Sequence, residues 1–209
     1  MPIVLFIGPD GSGKSSLIEA LTKVFQQKNL NVKHVWMRGS HTFISPLAKF
    51  LSRFRTFNGS ENPYYHITLP ESTKRFWQFL EFIGAVPVII FNFLIPSFMG
   101  YWILADRYAS DLAIWICLTT NDYGFLKKFE AKILIALTLR TSAKFYVTAN
   151  IETLNRRTED VWFPQEQLQL YGKLAETVGA HIIDTTNKSV DESLQEVLRV
   201  IDPIIQTAT

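Results

Sequence analysis

The chain has 209 residues, 47% of them hydrophobic, and a formal net charge of +2 from 21 basic and 19 acidic side chains. This length and apolar content suit a single α/β domain over residues 1–209, and the near balance of charge excludes a general attraction to nucleic acid or anionic lipid. A single cysteine, Cys117, excludes an intrachain disulfide and a cysteine metal site and favours a reducing, cytoplasmic compartment.

The first predicted strand, residues 3–7, is a continuous apolar run of the kind that a parallel strand buried on both faces requires. It leads into residues 8–15, whose sequence GPDGSGKS is a complete G-x-x-x-x-G-K-S phosphate-binding loop. In such a loop the backbone N–H groups and the following helix N-terminus hold phosphate oxygens, while the lysine adds a full positive charge. The chain is therefore predicted to bind a nucleotide near its beginning.

The rest of the chain alternates between strands and helices. Further strands are predicted at residues 32–37, 101–105, 144–149 and 181–184, and residues 57–70 are predicted to form a loop. The pattern predicts an α/β, three-layer P-loop NTPase fold with a five-stranded parallel sheet flanked by helices. Ligands bind at the carboxyl ends of such strands, so the polar residues that follow them should converge there. These residues are Asp10, Lys14, Ser15, Arg38, Asp106, Arg107 and Asp184.

An uncharged stretch of 24 residues, 82–105, is long enough to cross a bilayer. Glycine, proline, asparagine and serine interrupt it, and residues 96–100 are typical of a turn before a new strand. A buried helix, a turn and a buried strand are therefore predicted instead of a membrane span. The helical part, residues 72–95, is too apolar for a solvated face, which predicts a homodimer contact and leaves a contact with a partner or membrane surface open.

The chain resembles the thymidylate kinases, which belong to the P-loop group of nucleoside monophosphate kinases. Its phosphate-binding loop carries an acidic residue, Asp10, where that family has one, and residues 106–108 are similar to the family's D-R-Y signature. A weaker likeness lies around the family's lid, here about residues 153–165. It consists of Glu152, Arg156, Arg157, Tyr171, Ile183 and Asp184.

The resemblance implies phosphoryl transfer from ATP to a nucleoside monophosphate, foremost dTMP, with ATP and Mg²⁺ as cofactors and no nucleic-acid partner. The residues implied to bind ATP are Gly8, Asp10, Gly11, Ser12, Gly13, Lys14, Ser15 and Ser16. Those implied for Mg²⁺ are Ser15 and Asp106. Those implied for catalysis are Lys14, Asp106, Arg107, Arg156 and Arg157. Those implied for the acceptor are Asp10, Arg38, Arg75, Phe76, Arg107 and Tyr108.

Each implied role has a structural alternative. Residues 106 and 107 would also suit an ion pair at a strand end, the two lid arginines an exposed helix C-terminus, and Arg75 a solvated helix face. The chain also departs from the family: residues 38–41 read RGSH where the family has Arg-Glu-Pro-Gly, and Asp111 stands where it has a serine. Both departures concern the acceptor. A kinase for a nucleoside or another phosphorylated metabolite, or a P-loop ATP-binding switch protein acting through a partner, therefore remains an alternative.

Overall fold

The computed structural model describes residues 2–39, 42–158 and 163–208. The strands are β1 (Ile3–Ile7), β2 (Val32–Trp36), β3 (Asn58–Asn62), β4 (Trp102–Asp106), β5 (Ala143–Thr148) and β6 (His181–Asp184). The helices are α1 (Lys14–Gln27), α2 (Ile44–Leu51), α3 (Glu71–Val88), α4 (Ile95–Phe98), α5 (Ala109–Thr119), α6 (Phe129–Leu139), α7 (Ile151–Arg157), α8 (Pro164–Val178) and α9 (Val190–Ala208). A π-helical segment (Ile89–Leu94) joins α3 to α4, and a 3₁₀ segment (Tyr123–Lys127) precedes α6.

Five of these strands form one parallel sheet in the order β2-β4-β1-β5-β6. All of β1 is buried, and successive side chains point to opposite faces. Ile3, Leu5 and Ile7 join the core packed under α3, α5, α6 and α8, whereas Val4 and Phe6 join the core under α1 and α9. The sheet is covered by helices on both faces, which confirms the predicted three-layer α/β fold.

The strand register brings the predicted site together. Phe6 in β1 pairs with Asp106 in β4, and Trp36 in β2 pairs with the same residue from the other side. The loop after β1, the end of β2 and the end of β4 therefore open at one edge of the sheet, where the sequence predicts ligand binding.

Two predicted boundaries differ from the structure. Residues 57–70 contain the short strand β3, which bridges to Ile67 within the same segment. The turn predicted at residues 96–100 is wrong, because the helix continues to Phe98 and only then turns at Gly100, whose φ is 86°. Pro96 lies in the first turn of α4, where the π-helical segment precedes it and its missing N–H is tolerated.

Within the described residues, Glu71–Phe98 is the one helix that is long and apolar enough to cross a membrane: it has 28 residues, and its most apolar window has a mean hydropathy of 2.0. Only 33% of that window is buried. The length and hydropathy of this helix are only weak support for a membrane span, since the core helix of a soluble protein meets the same two criteria. The large apolar side chains that this helix exposes are Phe76, Phe79, Ile83, Ile90, Phe91, Ile95 and Phe98.

Candidate active site at the phosphate-binding loop

The loop between β1 and α1 has a positive φ at three glycines, Gly8, Gly11 and Gly13, a backbone conformation that favours glycine. Gly8 has φ 141°, and a Cβ there would lie 2.1 Å from the carbonyl oxygen of Val147 in β5. Gly13 has φ 90° and precedes α1, which begins at Lys14. The N-terminus of α1 therefore faces the loop, in the arrangement that binds phosphate.

Lys14 is buried and folded back over its own loop. Its ammonium group donates hydrogen bonds to Pro9 O at 2.6 Å and to Ser12 Oγ at 3.2 Å. Burial, assisted by the nearby charge of Arg107, lowers the pKa of Lys14 to about 7, although Asp106 and other carboxylates oppose this. A bound polyphosphate would restore the full charge of this side chain.

Ser15 and Asp106 meet across the boundary between α1 and β4. The Ser15 hydroxyl donates to Asp106 Oδ2 at 2.7 Å. A hydroxyl and a carboxylate are oxygen ligands of the kind that Mg²⁺ accepts alongside phosphate oxygens and water, so these residues fit the ion. In the described part of the chain, no three His, Cys, Asp or Glu side chains form a metal cluster. The nucleotide phosphates would therefore have to supply further ligands.

Arg107 is held by three groups at the end of β4. Its Nη2 donates to Asp10 Oδ1 at 2.7 Å, its Nη1 donates to the hydroxyl of Tyr171, and Asp111 Oδ1 lies 3.5 Å from Nη1. The residue is buried and its φ is 71°, a conformation that costs about 1–2 kcal/mol for a residue other than glycine. Such strain concentrates at functional sites.

Asp10 links this arginine to a second one. Its Oδ2 accepts a hydrogen bond from Arg38 Nη2 at 2.5 Å. Burial alone would raise the pKa of Asp10, but the positive charges of Arg107, Arg38 and Lys14 hold it below its ordinary value. Asp10 is therefore an ionised bridge between two arginines at the edge of the sheet.

Lys14 and Arg107 face the same open cleft, which has a volume of about 390 Å³. The cleft is lined by Asp10, Gly11, Gly13, Lys14, Ser15, Ser16, Trp36, Asp106, Arg107 and Arg157. It therefore brings together most of the residues that the sequence singles out for ATP, Mg²⁺ and catalysis.

The two arginines of α7 are placed differently. Arg157 lies over the loop: its Nη1 donates to Thr185 Oγ1 at 2.9 Å and its Nη2 to Thr185 O at 2.9 Å, while Gly11 O lies 3.5 Å from Nη1. Arg156 is exposed and lines neither this cleft nor the cavity beside it. Residues 159–162 of the predicted lid lie outside the described residues.

An adjoining cavity of about 190 Å³ continues past Arg157. It is lined by Gly13, Ser16, Leu17, Arg157, Thr185, Lys188, Ser189, Val190 and Ser193. Because the two cavities share Gly13, Ser16 and Arg157, a nucleotide with its phosphates on the loop would extend its nucleoside into this second space.

A third cavity lies on the other side of Arg107 and has a volume of only about 20 Å³. Its lining includes Arg38, Arg107, Asp111, Trp115 and Tyr171, and the Arg38 guanidinium lies 5.1 Å from the centre of the Trp115 ring. This volume holds about one water molecule. An acceptor the size of a nucleotide would therefore have to move these side chains apart.

Three predicted acceptor residues lie elsewhere. Arg75 forms an ion pair with Glu130 of α6 at 2.5 Å, and Phe76 is 64% exposed. Tyr108 is fully buried against Phe93, with ring centres 4.7 Å apart. None of these three residues lines the cavities around Arg107, so their contact with the acceptor stays a prediction that this arrangement does not support.

Two residues that line these cavities, Thr185 and Trp115, were not among the predicted ones. Thr185, directly after β6, has its hydroxyl 2.9 Å from Ser12 O, whereas the Asp184 carboxylate accepts from Thr186 N at 2.9 Å. Asp111 and Trp115 are four positions apart on α5 and share a helix face. Both lie on the helix that directly follows residues 106–108, and this position in the sequence could have identified them.

The strand order, the glycine-rich loop and the shared cleft define a nucleotide-binding domain of the P-loop class. The sequence matches no protein-family profile and no curated protein. The fold is similar to the thymidylate kinase from Candida albicans, with a TM-score of 0.61 and 15% identity over 96% of this chain and 91% of that one. It is also similar to the thymidylate kinase from Ehrlichia chaffeensis, with a TM-score of 0.58 and 13% identity over 95% and 97%. The predicted likeness to thymidylate kinases is therefore confirmed for the fold.

Proposed function

We propose that the protein transfers the terminal phosphoryl group of ATP to a nucleoside monophosphate, with dTMP as the foremost acceptor. The proposal rests on one observation: Lys14 and Arg107 line the same cleft. Lys14 follows β1 and Arg107 follows β4, and these two parallel strands are adjacent in the sheet. The fold likeness to two thymidylate kinases supports it independently.

Phosphoryl transfer needs little covalent chemistry from the protein, which must align the acceptor and offset charge on the transferred group. Lys14 and the N-terminus of α1 would hold the phosphates of ATP. Mg²⁺ held by Ser15 and Asp106 would neutralise charge on the phosphate oxygens. Arg157 contacts the loop from the side of α7 and would add positive charge there.

Arg107 would contact the acceptor beside the transferred phosphoryl group. Its place is fixed before any ligand arrives, because Asp10 and Tyr171 hold both ends of its guanidinium. A cation that needs no rearrangement stabilises a transition state at little further cost. Asp10, which is ionised, would keep Arg107 in this position.

The test is an ADP-release assay with ATP and Mg²⁺ over all nucleoside monophosphates and nucleosides. We expect release that depends on an acceptor and is strongest with dTMP. Lys14→Ala and Arg107→Ala should each lower kcat by about 10³-fold or more with an intact circular dichroism spectrum. Arg140→Ala, at an exposed position, is the control for charge loss. Retained turnover in either cleft variant would contradict the proposal.

A second candidate acceptor is one without a phosphate, such as a nucleoside. Around the acceptor cavity the charges of Arg38 and Arg107 are matched by those of Asp10 and Asp111, which leaves little net attraction for a phosphate dianion. The nucleosides in the same assay decide between the two candidates. ADP release that needs no acceptor would instead indicate an ATP-binding switch protein.

We further propose that the protein is cytoplasmic and forms a homodimer through the exposed apolar face of Glu71–Phe98. The run of exposed aromatic and aliphatic side chains along this helix supports the contact. Sedimentation of detergent-free protein should give a dimer, and Phe91→Asp, which puts a charge at a 65% exposed position, should give a monomer.

A further inference from the structure

Asp111 is a buried carboxylate with one oxygen that the fold holds only through a long ion pair. It lies in the first turn of α5 and lines the small cavity beside Arg107. Its Oδ2 accepts a hydrogen bond from Tyr108 N at 3.0 Å and completes the capping of α5. Its Oδ1 is buried and lacks a hydrogen bond of ordinary geometry, with Arg107 Nη1 3.5 Å away.

Helix capping does not account for this side chain. The cap uses one oxygen at the N3 position, which the uncharged amide of a glutamine or asparagine also provides. Burying a carboxylate is costly when one of its oxygens has only such a long contact, so the group needs a reason to persist. Asp111 lines a cavity together with arginine and aromatic side chains, as a residue of a recognition site for a polar ligand would.

We propose that Asp111 Oδ1 accepts a hydrogen bond from a sugar hydroxyl of the acceptor and thereby selects acceptors that carry this hydroxyl. The inference rests on the proposed phosphoryl transfer and names its specificity residue. An ionised carboxylate can only accept, so its partner must be a donor. Asp111 lies beside Arg107, whereas Trp115 is one helical turn further along α5, which places the sugar near the carboxylate and the base near the indole.

A site that is built to bond a hydroxyl rejects the analogue without it, because the buried polar group is then left unpaired. For a carboxylate acceptor we expect a preference of about tenfold to a hundredfold in kcat/KM. The preference should appear mainly in KM if the hydrogen bond is equally strong in the bound and transition states.

The experiment compares acceptors that differ by one sugar hydroxyl: dTMP against its 3′-deoxy analogue, and 5-methyluridine monophosphate against dTMP. The wild-type protein should prefer the hydroxylated member of at least one pair by tenfold or more. Asp111→Ser should reduce that preference at least fivefold. Asp111→Asn keeps the oxygen that caps α5 but replaces Oδ1 with an amide NH₂, which donates and does not accept, so it should also reduce that preference.

Glu130→Gln is the matched control. Glu130 is also a buried carboxylate in the first turn of a helix, with one oxygen held by an arginine and the other without a hydrogen bond, but it lies outside the acceptor cavity. This variant should keep the wild-type preference. An unchanged preference in both Asp111 variants, or no preference in the wild type for either pair, would overturn the inference.

Calorimetric binding of the same compounds separates this inference from the proposed function. Binding that depends on Asp111 without any phosphoryl transfer would refute the enzyme and retain the recognition role. Transfer that ignores Asp111 would refute the recognition role alone. If the wild type neither binds nor phosphorylates any of the compounds, both proposals fail.

Discussion

Asp111→Asn is expected to stabilise the protein at pH 7, although the residue is buried. Burial raises the pKa of Asp111 to about 6 from its ordinary value of 3.8, and the positive charge of Arg107 and the N–H of Tyr108 only partly oppose this. At pH 7 the folded protein therefore carries an ionised carboxylate in a place that favours the protonated form. Asparagine has the shape of the protonated acid and can still cap α5.

The size of this stabilisation follows from the pKa shift of Asp111. A difference of about two pKa units, at roughly 1.4 kcal/mol per unit, makes the ionised carboxylate cost about 3 kcal/mol at pH 7. The folded state binds this proton more tightly than the unfolded chain does. The contribution of Asp111 to stability is therefore most favourable below pH 3.8 and is lost as the pH rises through about 6.

Urea unfolding of the wild type and Asp111→Asn between pH 4 and 8 measures the effect. The gain in the free energy of unfolding should be near zero at pH 4 and should approach its full value above pH 6. Glu130→Gln is again the control. Burial would raise the pKa of Glu130, but the hydrogen bond from Arg75 holds it below its ordinary value of 4.5. The Glu130 carboxylate therefore stabilises the fold above that pH, and its loss should destabilise the protein at pH 7.

The two substitutions are thus expected to change the free energy of unfolding in opposite directions at pH 7. If Asp111→Asn destabilises the protein as Glu130→Gln does, or if its effect is the same at pH 4 and pH 7, the buried carboxylate imposes no cost. Asp111 would then have no energetic cost that a role in recognition has to offset.

Three further predictions concern the ATP side. Arg157→Ala should raise the KM for ATP about tenfold whereas Arg156→Ala should not, because only the first lies over the loop; equal steady-state constants for the two variants would contradict this. ATP binding at pH 8 should take up protons, since phosphates would raise the lowered pKa of Lys14 again, and calorimetry in buffers of different ionisation enthalpy should detect the uptake. Gly8→Ala should abolish ATP binding and lower the melting temperature, because its Cβ would clash with Val147 O.

Local patterns were sufficient to predict that the residues assigned to the ATP half of the site lie together. The glycines of the loop sequence determine its backbone conformation. The ends of β1 and β4 lie side by side because these two short apolar strands pair in parallel, with Phe6 opposite Asp106. These two facts bring Ser15 and Asp106 within hydrogen-bonding distance although 91 positions separate them. No further information was needed for this half.

The acceptor half depends on packing that periodicity does not report. Arg75 pairs with Glu130, 55 positions away, because of how α3 lies against α6. Tyr108 follows Arg107 directly, yet the positive φ of Arg107 turns the chain so that the tyrosine enters the core. A signature in the sequence identified both residues as a pair, but it could not assign their side chains to opposite sides of the backbone.

The charges of the site explain why a divalent cation should be required. Lys14, Arg38 and Arg107 carry three potential positive charges, and Asp10, Asp106 and Asp111 carry three potential negative ones. The site therefore has little surplus charge for a triphosphate, and Arg157, which bonds neutral groups, is the main cation of the cleft outside this balance. Since transfer would also bring an acceptor, we expect Mg²⁺ to supply much of the missing positive charge, and Ser15 and Asp106 are the residues that would hold it.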